Sequence, residues 1–157
     1  MTTKIYLSGG TVTGWQDIVI EALSDYDVEF YNPAKLSLGP VDKPELRIYG
    51  PMDRTKIVEC DIAFGYLEKS NPTPINTALE LGYAIGLGKR TILCNEWTVD
   101  AFSKGQMRCL LTDSVDGKAT ATWFKPHYVD LLNDWVDFVE PDFGIALEIL
   151  KKVVNYE

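Results

Sequence analysis

The sequence contains a single histidine, His127, among its 157 residues. One histidine is too few for a zinc site built from several histidines, and it disfavours a catalytic triad that depends on histidine. The three cysteines, Cys60, Cys94 and Cys109, are odd in number and far apart, so they predict reduced structural thiols. We therefore expect no metal site and no disulfide framework.

Long apolar runs are also missing. Residues 1–4 lead directly into a short apolar segment, without the charged leader and longer apolar stretch of a signal peptide. No apolar run approaches the ~20 residues that a membrane-spanning helix needs. On these grounds we expect a cytoplasmic protein that does not contact a membrane.

Basic residues are in the minority, with 15 Lys and Arg against 23 Asp and Glu and a formal net charge of −8. Proteins that bind polymeric nucleic acid need the opposite balance, because Lys and Arg must neutralise phosphates. Hydrophobic residues make up 46% of the chain, which excludes a disordered protein. The length fits one domain, which we assign to residues 1–157, with small molecules or proteins as partners.

Strands alternate with helices along the chain. Apolar, β-prone runs predict strands at residues 4–7, 28–31, 62–67 and 91–94. Apolar residues at helical spacing predict helices at 15–23, 51–59 and 74–86, the last of them starting at Thr73-Pro74. Further along, the pattern predicts a turn at Asp116-Gly117, a strand at 119–124 and helices at 128–139 and 143–154.

This alternation predicts an α/β fold, a three-layer domain with a central, mainly parallel sheet between helices. In such folds ligands bind beyond the carboxyl ends of the strands, near the point where the strand order reverses. We therefore expect the site among the segments that follow strands, at residues 8–15, 32–44, 68–80 and from 95 onward.

Two glycine-rich segments come close to nucleotide-binding motifs without matching them. Gly9, Gly10 and Gly14 have G-G-x-x-x-G spacing, and no acidic residue ends the second predicted strand, so a dinucleotide site is not supported. Residues 83–90 have Tyr83 in place of the first glycine of a P-loop and Arg90 in place of its Ser or Thr. We expect no organic cofactor, and the small residues at 9 and 10 predict close approach of a ligand to the backbone.

Glu80 is the most informative polar residue. It stands between Leu79 and Leu81 in a helix of small and apolar residues, a pattern that predicts packing on several sides. A carboxylate that is partly buried has to be paired, hydrogen-bonded or functional. Asp53, shortly after Pro51, is a second candidate, although it fits a plain helix-terminal charge equally well.

Several segments of the chain resemble the nucleoside 2-deoxyribosyltransferase family. The matching pieces are K-I-Y-L-S-G-G at 4–10, Y-N-P at 31–33, Asp53 followed by C-D-I-A at 60–63, and N-T-A-L-E-L-G-Y-A-I-G-L-G-K at 76–89. The last piece is the most specific, and together they cover roughly the first 95 residues. The resemblance implies a flavodoxin-like fold. It also implies cleavage of the N-glycosidic bond of 2′-deoxynucleosides, with transfer of the deoxyribosyl group to another nucleobase or to water.

The resemblance also implies roles for individual residues. Glu80 would be the nucleophile, which forms a covalent glycosyl ester, and Asp53 its partner near the departing base. Tyr6 would hold the carboxylate of Glu80, while Gly9 and the neighbouring backbone would lie under the base.

The family forms assemblies whose sites are completed across subunits, so we expect a homo-oligomer, a dimer or larger. Met107 is the candidate for such a residue, and Tyr156 is a second. The many aromatic residues between positions 123 and 143 either line an interface or fill the second face of the core.

The chain departs from the family pattern at two positions. Many members carry an acidic residue six positions before the nucleophile and a glycine four before it, where this chain has Pro74 and Asn76. Asn71 and Asn76 are therefore alternative candidates for contacts with the sugar hydroxyls. The pair Trp15-Gln16, after the glycine loop, resembles the sequence of a more distant branch of the family. We include Trp15 among the candidate substrate contacts.

Two alternatives stay open. In the first, the substrate is a nucleoside 5′-monophosphate, whose phosphate would take hydrogen bonds from Ser8, Thr11 and Thr13. In the second, the chain is a non-catalytic nucleoside-binding module, because a fold alone does not establish a function. The negative net charge favours a neutral nucleoside over a phosphate.

Overall fold

The computed structural model describes residues 1–35, 49–69, 75–96, 113–115, 118–120 and 132–156. The strands are β1 (Thr3–Gly9), β2 (Val28–Tyr31), β3 (Ile62–Leu67), β4 (Arg90–Asn95), β5 (Asp113–Val115), β6 (Lys118–Thr120) and β7 (Phe138–Glu140). The helices are α1 (Trp15–Ala22), α2 (Tyr49–Glu59), α3 (Ile75–Gly86) and α4 (Phe143–Tyr156), with a 3-10 turn at Pro33–Lys35. Residues 132–135 form one further short helical stretch.

Five strands form a parallel sheet in the order β2-β1-β3-β4-β7. Strands β5 and β6 pair separately as an antiparallel hairpin. The strand order reverses between β1 and β3, which is the switch point of the flavodoxin-like arrangement. The predicted α/β fold with its central parallel sheet is therefore confirmed.

Each face of the sheet is covered by helices. Residues of β1, β3 and β4 that point to one face pack with α1 and α4, in a cluster that includes Ile5, Leu7, Trp15, Phe64 and Leu150. Residues that point to the other face pack with α2 and α3, in a cluster that includes Tyr6, Ile57, Ala63, Leu81 and Leu93. Because successive side chains of a strand alternate between faces, β1 contributes to both layers.

Helix α3 lies very close to the sheet because β3 carries a glycine beneath it. A Cβ atom at Gly65 would overlap the side chain of Leu81, which is fully buried. Gly82, the next residue of the helix, has open space at its own Cβ position. The glycine in β3 therefore sets the distance between α3 and the sheet.

The structure agrees with most of the predicted elements in its first 95 residues. Helix α2 begins at Tyr49, earlier than the predicted start at Pro51, so Asp53 lies inside the helix rather than at its end. The alternative interpretation of Asp53, as a charge at the start of a helix, is therefore wrong. Thr73-Pro74 lies outside the described residues. Cys60 and Cys94 are free and buried, as the sequence predicts.

One predicted helix is only partly confirmed. The sequence predicts a helix over residues 128–139, of which 132–135 are helical and 128–131 lie outside the described part of the chain. Its end is wrong, because Phe138–Glu140 is the edge strand β7, which pairs in parallel with β4. A strand of three residues is too short to show a period of two, so its pairing partner decides its conformation. The predicted strand at 119–124 overlaps β6, and its residues 121–124 lie outside the described part of the chain.

Within the described ranges, no helix is both long and apolar enough to cross a membrane. The same residues contain no group of three or more His, Cys, Asp or Glu side chains arranged to hold a metal ion. His127 and Cys109 lie outside those ranges.

Candidate active site

The site begins on β1, next to the switch point of the sheet. Tyr6 and Ser8 are two residues apart, so both side chains point to the face covered by α2 and α3. Neither residue has measurable solvent exposure. The strand therefore directs two hydroxyl groups into the layer between the sheet and these helices.

Glu80 reaches this layer from α3. The Ser8 hydroxyl donates a hydrogen bond of 2.5 Å to Oε2 of Glu80, across 72 residues of sequence. The neighbours of Glu80 in sequence, Leu79 and Leu81, point in different directions: Leu79 is exposed and Leu81 is buried against β3. The helix thus places a largely buried carboxylate beside the strand, as the sequence pattern around it predicts.

The surroundings of Glu80 favour its neutral form. Burial raises the pKa of Glu80 to about 7. The hydrogen bond from Ser8 opposes this rise, and the negative charge of Asp53 adds to it. At neutral pH the carboxyl group is therefore divided between its charged form, which is nucleophilic, and its protonated form.

Asp53 is brought to the same place by α2. Its Oδ1 accepts a hydrogen bond of 3.3 Å from the Tyr31 hydroxyl, at the end of β2. Burial raises the pKa of Asp53, while the hydroxyls of Tyr31 and then Tyr6 lower it. The structure therefore brings together two carboxyl groups that are far apart in the sequence, Glu80 and Asp53.

The Tyr6 hydroxyl lies near both carboxyl groups. It is buried and makes no hydrogen bond of standard geometry to any residue in the described ranges. Burial raises the pKa of Tyr6 well above its usual range, and the charges of Glu80 and Asp53 raise it further. The phenol therefore stays protonated, and it can donate to a carboxylate or to a ligand after a small rotation.

Gly9 and Trp15 support the loop that follows β1. A Cβ atom at Gly9 would lie 2.8 Å from both the Trp15 ring and the Tyr66 carbonyl oxygen. The indole nitrogen of Trp15 donates to the Gly10 carbonyl oxygen at 2.8 Å, as does the side chain of Gln16 at 2.9 Å. Trp15 is 2% exposed, so it supports the glycine loop from the core, and its predicted contact with substrate stays a prediction.

The remaining predicted contacts are less central. Asn76 is exposed on α3, one helical turn before Glu80, and its predicted contact with the sugar stays a prediction. Asn71 and Met107 lie outside the described residues. Tyr156, near the end of α4, is 90% exposed, and its predicted role in a second subunit stays a prediction.

Two hydrogen-bonded pairs near this edge of the sheet escape the sequence patterns. The Thr13 hydroxyl donates to Oε1 of Glu68 at 2.5 Å, which connects the glycine loop to the end of β3. Tyr66 donates to Oε1 of Glu96 at 2.6 Å, which connects β3 to the end of β4. The only sequence signal for these acidic residues is their position: Glu68 directly follows the predicted strand at 62–67, and Glu96 comes two residues after the one at 91–94.

The sequence profile of a family described as nucleoside 2-deoxyribosyltransferase like matches residues 2–97, more than half of the chain. The chain belongs to this family. The match spans β1 to β4 together with α1, α2 and α3, and so includes every residue that forms the site described above. The resemblance noted from short segments is thereby confirmed. No curated protein matches the chain by sequence.

Two solved structures share the fold of this deoxyribosyltransferase-like chain. A conserved protein from Enterococcus faecalis V583 superposes with a TM-score of 0.63 at 15% identity, over 98% of this chain and 99% of that one. The Clostridium botulinum CMP N-glycosidase BcmB superposes with a TM-score of 0.50 at 16% identity, over 95% and 99% respectively. At such identities the likeness establishes the fold alone.

Membership of the deoxyribosyltransferase-like family indicates an enzyme of the N-glycosidase or transferase type. Its substrates are therefore small molecules of the nucleoside and nucleobase class. The carboxyl pair and the buried hydroxyls described above are suited to such chemistry, because glycoside cleavage uses two carboxyl groups in different roles.

A cavity of about 570 Å³ lies at the opposite edge of the sheet, by the first residues of β4. The charged side chains that line it are already engaged. Arg90 pairs with Asp137 at 3.5 Å, and Lys89 donates to the Val58 carbonyl oxygen at 2.7 Å. Asp61 accepts from the backbone of Lys4. These contacts hold the strand starts together, and they leave the carboxyl edge as the candidate site.

Proposed function

We propose that this protein cleaves the N-glycosidic bond of 2′-deoxynucleosides and passes the deoxyribosyl group to another nucleobase or to water. The observation that carries this proposal is the position of Glu80. Its carboxyl group is largely buried, is held by Ser8 through Oε2, and lies beside a second carboxyl group, that of Asp53. Its other oxygen, Oε1, is then available to a substrate.

The first step breaks the bond between the anomeric carbon and the base nitrogen. As the base leaves with the bonding electron pair, the anomeric carbon gains positive charge, which the Glu80 carboxylate stabilises. The carboxylate oxygen then bonds to this carbon and forms a glycosyl ester. Asp53, or a water molecule that it orients, supplies the proton to the departing base.

The second step reverses these roles. The nitrogen of an incoming base, or a water molecule, attacks the anomeric carbon and displaces Glu80 as a carboxylate. Asp53 accepts the proton that the incoming group loses. Two successive inversions give net retention of configuration. Exclusion of water from the site decides between transfer and hydrolysis.

Base exchange measures this function directly. The purified protein is incubated with a 2′-deoxynucleoside and a different free base, and the products are separated by chromatography. We expect a new deoxynucleoside or free deoxyribose in addition to the released base. Intact-protein mass spectrometry during turnover should show a species heavier by one deoxyribosyl group.

Variants of Glu80 provide the decisive comparison. Glu80→Ala should lower turnover roughly 10³-fold or more while the circular dichroism spectrum is unchanged. Glu21→Gln, an exposed substitution on α1, is the matched control and should retain full activity. Full activity of Glu80→Ala would overturn the proposal, as would calorimetric binding of nucleosides without turnover under any acceptor. The latter result would favour a binding module.

The second candidate function is hydrolysis of a nucleoside 5′-monophosphate. The likeness in fold to a CMP N-glycosidase favours it. Two of the three hydroxyls expected to bind the phosphate, however, donate to carboxylates: Ser8 to Glu80 and Thr13 to Glu68. An anionic phosphate beside these carboxylates would be repelled, so we place the neutral nucleoside first. Turnover of a deoxynucleoside against that of its 5′-monophosphate distinguishes the two.

A further inference from the structure

Tyr31 has no role in the chemistry described so far, yet it is fixed on two sides. It is the last residue of β2 and pairs in register with Tyr6 of β1. The rings of Tyr31 and Tyr6 stack with their centroids 5.2 Å apart and their planes at 15°. Stacked aromatic pairs restrict each other's rotation, so the direction of the Tyr31 hydroxyl is well defined.

That hydroxyl points to α2. It donates to Oδ1 of Asp53 at 3.3 Å. The ammonium group of Lys56, on the same helix, lies 6.0 Å from the centroid of the Tyr31 ring. Tyr31 therefore contacts Tyr6 through its ring face and contacts α2 through both its hydroxyl and its ring.

We propose that Tyr31 is a positioning residue that orients Asp53 for its work at the departing base. The stack with Tyr6 fixes the phenol ring, and the phenol hydroxyl holds Oδ1 of Asp53. The second carboxyl oxygen, Oδ2, is then directed to the base or to a water molecule beside it. This inference rests on the proposed function, in which Asp53 exchanges a proton with the base.

The electrostatic effects run in both directions between the two residues. The Tyr31 hydroxyl lowers the pKa of Asp53, against the larger effect of burial. Burial and then the charge of Asp53 raise the pKa of Tyr31 to about 12. Tyr6 on β1 and Glu80 on α3 also face this pair. Loss of the Tyr31 hydroxyl should therefore change the titration of Asp53.

The first experiment titrates Asp53 in the free protein by carboxyl-detected NMR. Tyr31→Phe keeps the ring stack and removes the donor, so the midpoint of Asp53 should rise by about half a pH unit to one unit. Tyr26→Phe, which removes a hydroxyl remote from the site, is the matched control and should leave the midpoint unchanged. An unchanged midpoint in Tyr31→Phe overturns the proposal.

The reciprocal measurement uses Asp53→Asn and does not require Tyr31→Phe to fold. Without the charge of Asp53, the phenol of Tyr31 should ionise below its pKa of about 12, by ultraviolet absorbance or by NMR at alkaline pH. Tyr66, which donates to Glu96 instead, is the internal reference. A Tyr31 midpoint that does not move in Asp53→Asn overturns the contact.

Kinetics test the positioning role itself. Tyr31→Phe should lower kcat about 5- to 10-fold while KM changes less than about twofold. The substitution removes the hydrogen bond to Asp53, which acts on the departing base, and leaves the other contacts with the substrate in place. In an Asp53→Asn background the same substitution should cost less than about twofold. Equal losses in both backgrounds would show that Tyr31 does not act through Asp53.

These outcomes separate the two proposals. The NMR titrations use no substrate, so they report on the pair formed by Tyr31 and Asp53 even if Glu80→Ala shows that the proposed function is wrong. Conversely, loss of activity in Glu80→Ala together with an unchanged Asp53 midpoint leaves the proposed function intact and removes only the role of Tyr31.

Discussion

Glu80 is largely withdrawn from water, and this has consequences for stability as well as for chemistry. Burial raises the pKa of this carboxyl from 4.5 to about 7. Between these two values the folded protein binds more protons than the unfolded chain does. Stability therefore falls as pH rises through this window, and the loss is complete above the folded-state pKa.

Glu80→Gln should accordingly stabilise the protein at alkaline pH. We expect a gain of about 1–3 kcal/mol at pH 8, from a shift of this size at 1.36 kcal/mol per unit with allowance for residual solvation. The melting temperature should rise by several degrees at pH 8 and by almost nothing at pH 4.5. Thermal unfolding by circular dichroism measures both, and an equal difference at the two pH values would contradict the explanation.

The same carboxyl group should set the acidic limb of activity. The ionised form is the nucleophile, so kcat/KM should rise with pH up to about 7. Ser8→Ala removes a hydrogen bond to the ionised form, and we expect the limb to move to higher pH by about half a unit to one unit.

Ser24→Ala, at an exposed position after α1, is the control for this experiment. It should leave the pH profile of kcat/KM as it is in the unmodified protein. If the acidic limb of the kcat/KM profile does not move in Ser8→Ala, the ionisation of Glu80 does not determine that limb.

At the scale of single residues, the sequence predicts the burial of the Glu80 carboxyl group, but it gives no sign of the contact between Tyr31 and Asp53. Glu80 stands out because a charge interrupts a helix of small and apolar residues. Tyr31 ends an ordinary apolar strand, and its contact with Asp53 depends on how β2 and α2 come together. Trp15 lies on the apolar side of its predicted helix and is buried in the structure, while its predicted contact with substrate stays a prediction.

Among the elements, α3 depends most on one neighbour. Gly65 of β3 leaves the space that Leu81 fills, so Gly65→Ala forces the helix away from the sheet. We expect a loss of about 1–3 kcal/mol in unfolding free energy, measured by urea denaturation. Activity should fall as well, because α3 carries Glu80.

Gly82→Ala, a substitution on α3 itself, is the matched control for Gly65→Ala on β3. Its Cβ position is open, so the substitution should raise stability by about 0.5–1 kcal/mol, through the better helix propensity of alanine. Similar stability changes in Gly65→Ala and Gly82→Ala would show that the contact with Leu81 does not fix the position of α3.

Elements with strong periodicity are predictable from the sequence, and short ones are not. The bounds of β3, at Ile62–Leu67, match the prediction because a continuous apolar run marks a strand that is buried on both faces. Strand β7 is three residues long at the edge of the sheet, and its pairing with β4 is a contact between distant parts of the sequence. No local pattern identifies such a strand.

For the whole molecule, the net charge of −8 should discriminate between substrates. A monophosphate approaches against this charge, and salt screens the repulsion. We expect its KM to fall about twofold or more between low and physiological ionic strength, while the KM of the matching deoxynucleoside changes little. If the KM of the monophosphate rises with salt instead, a local cationic site binds the phosphate, and the second candidate function gains support.

The alternation of β1 between the two layers has a consequence for how this family can vary. Ile5 and Leu7 belong to one core cluster, while Tyr6 and Ser8 face the carboxyl groups from the other side of the same strand. A substitution at Ser8 can therefore change the surroundings of Glu80 without touching the apolar cluster that contains Ile5 and Leu7. A substitution at Tyr6 changes both the site and the packing against α2 and α3, because Tyr6 also belongs to the second core cluster.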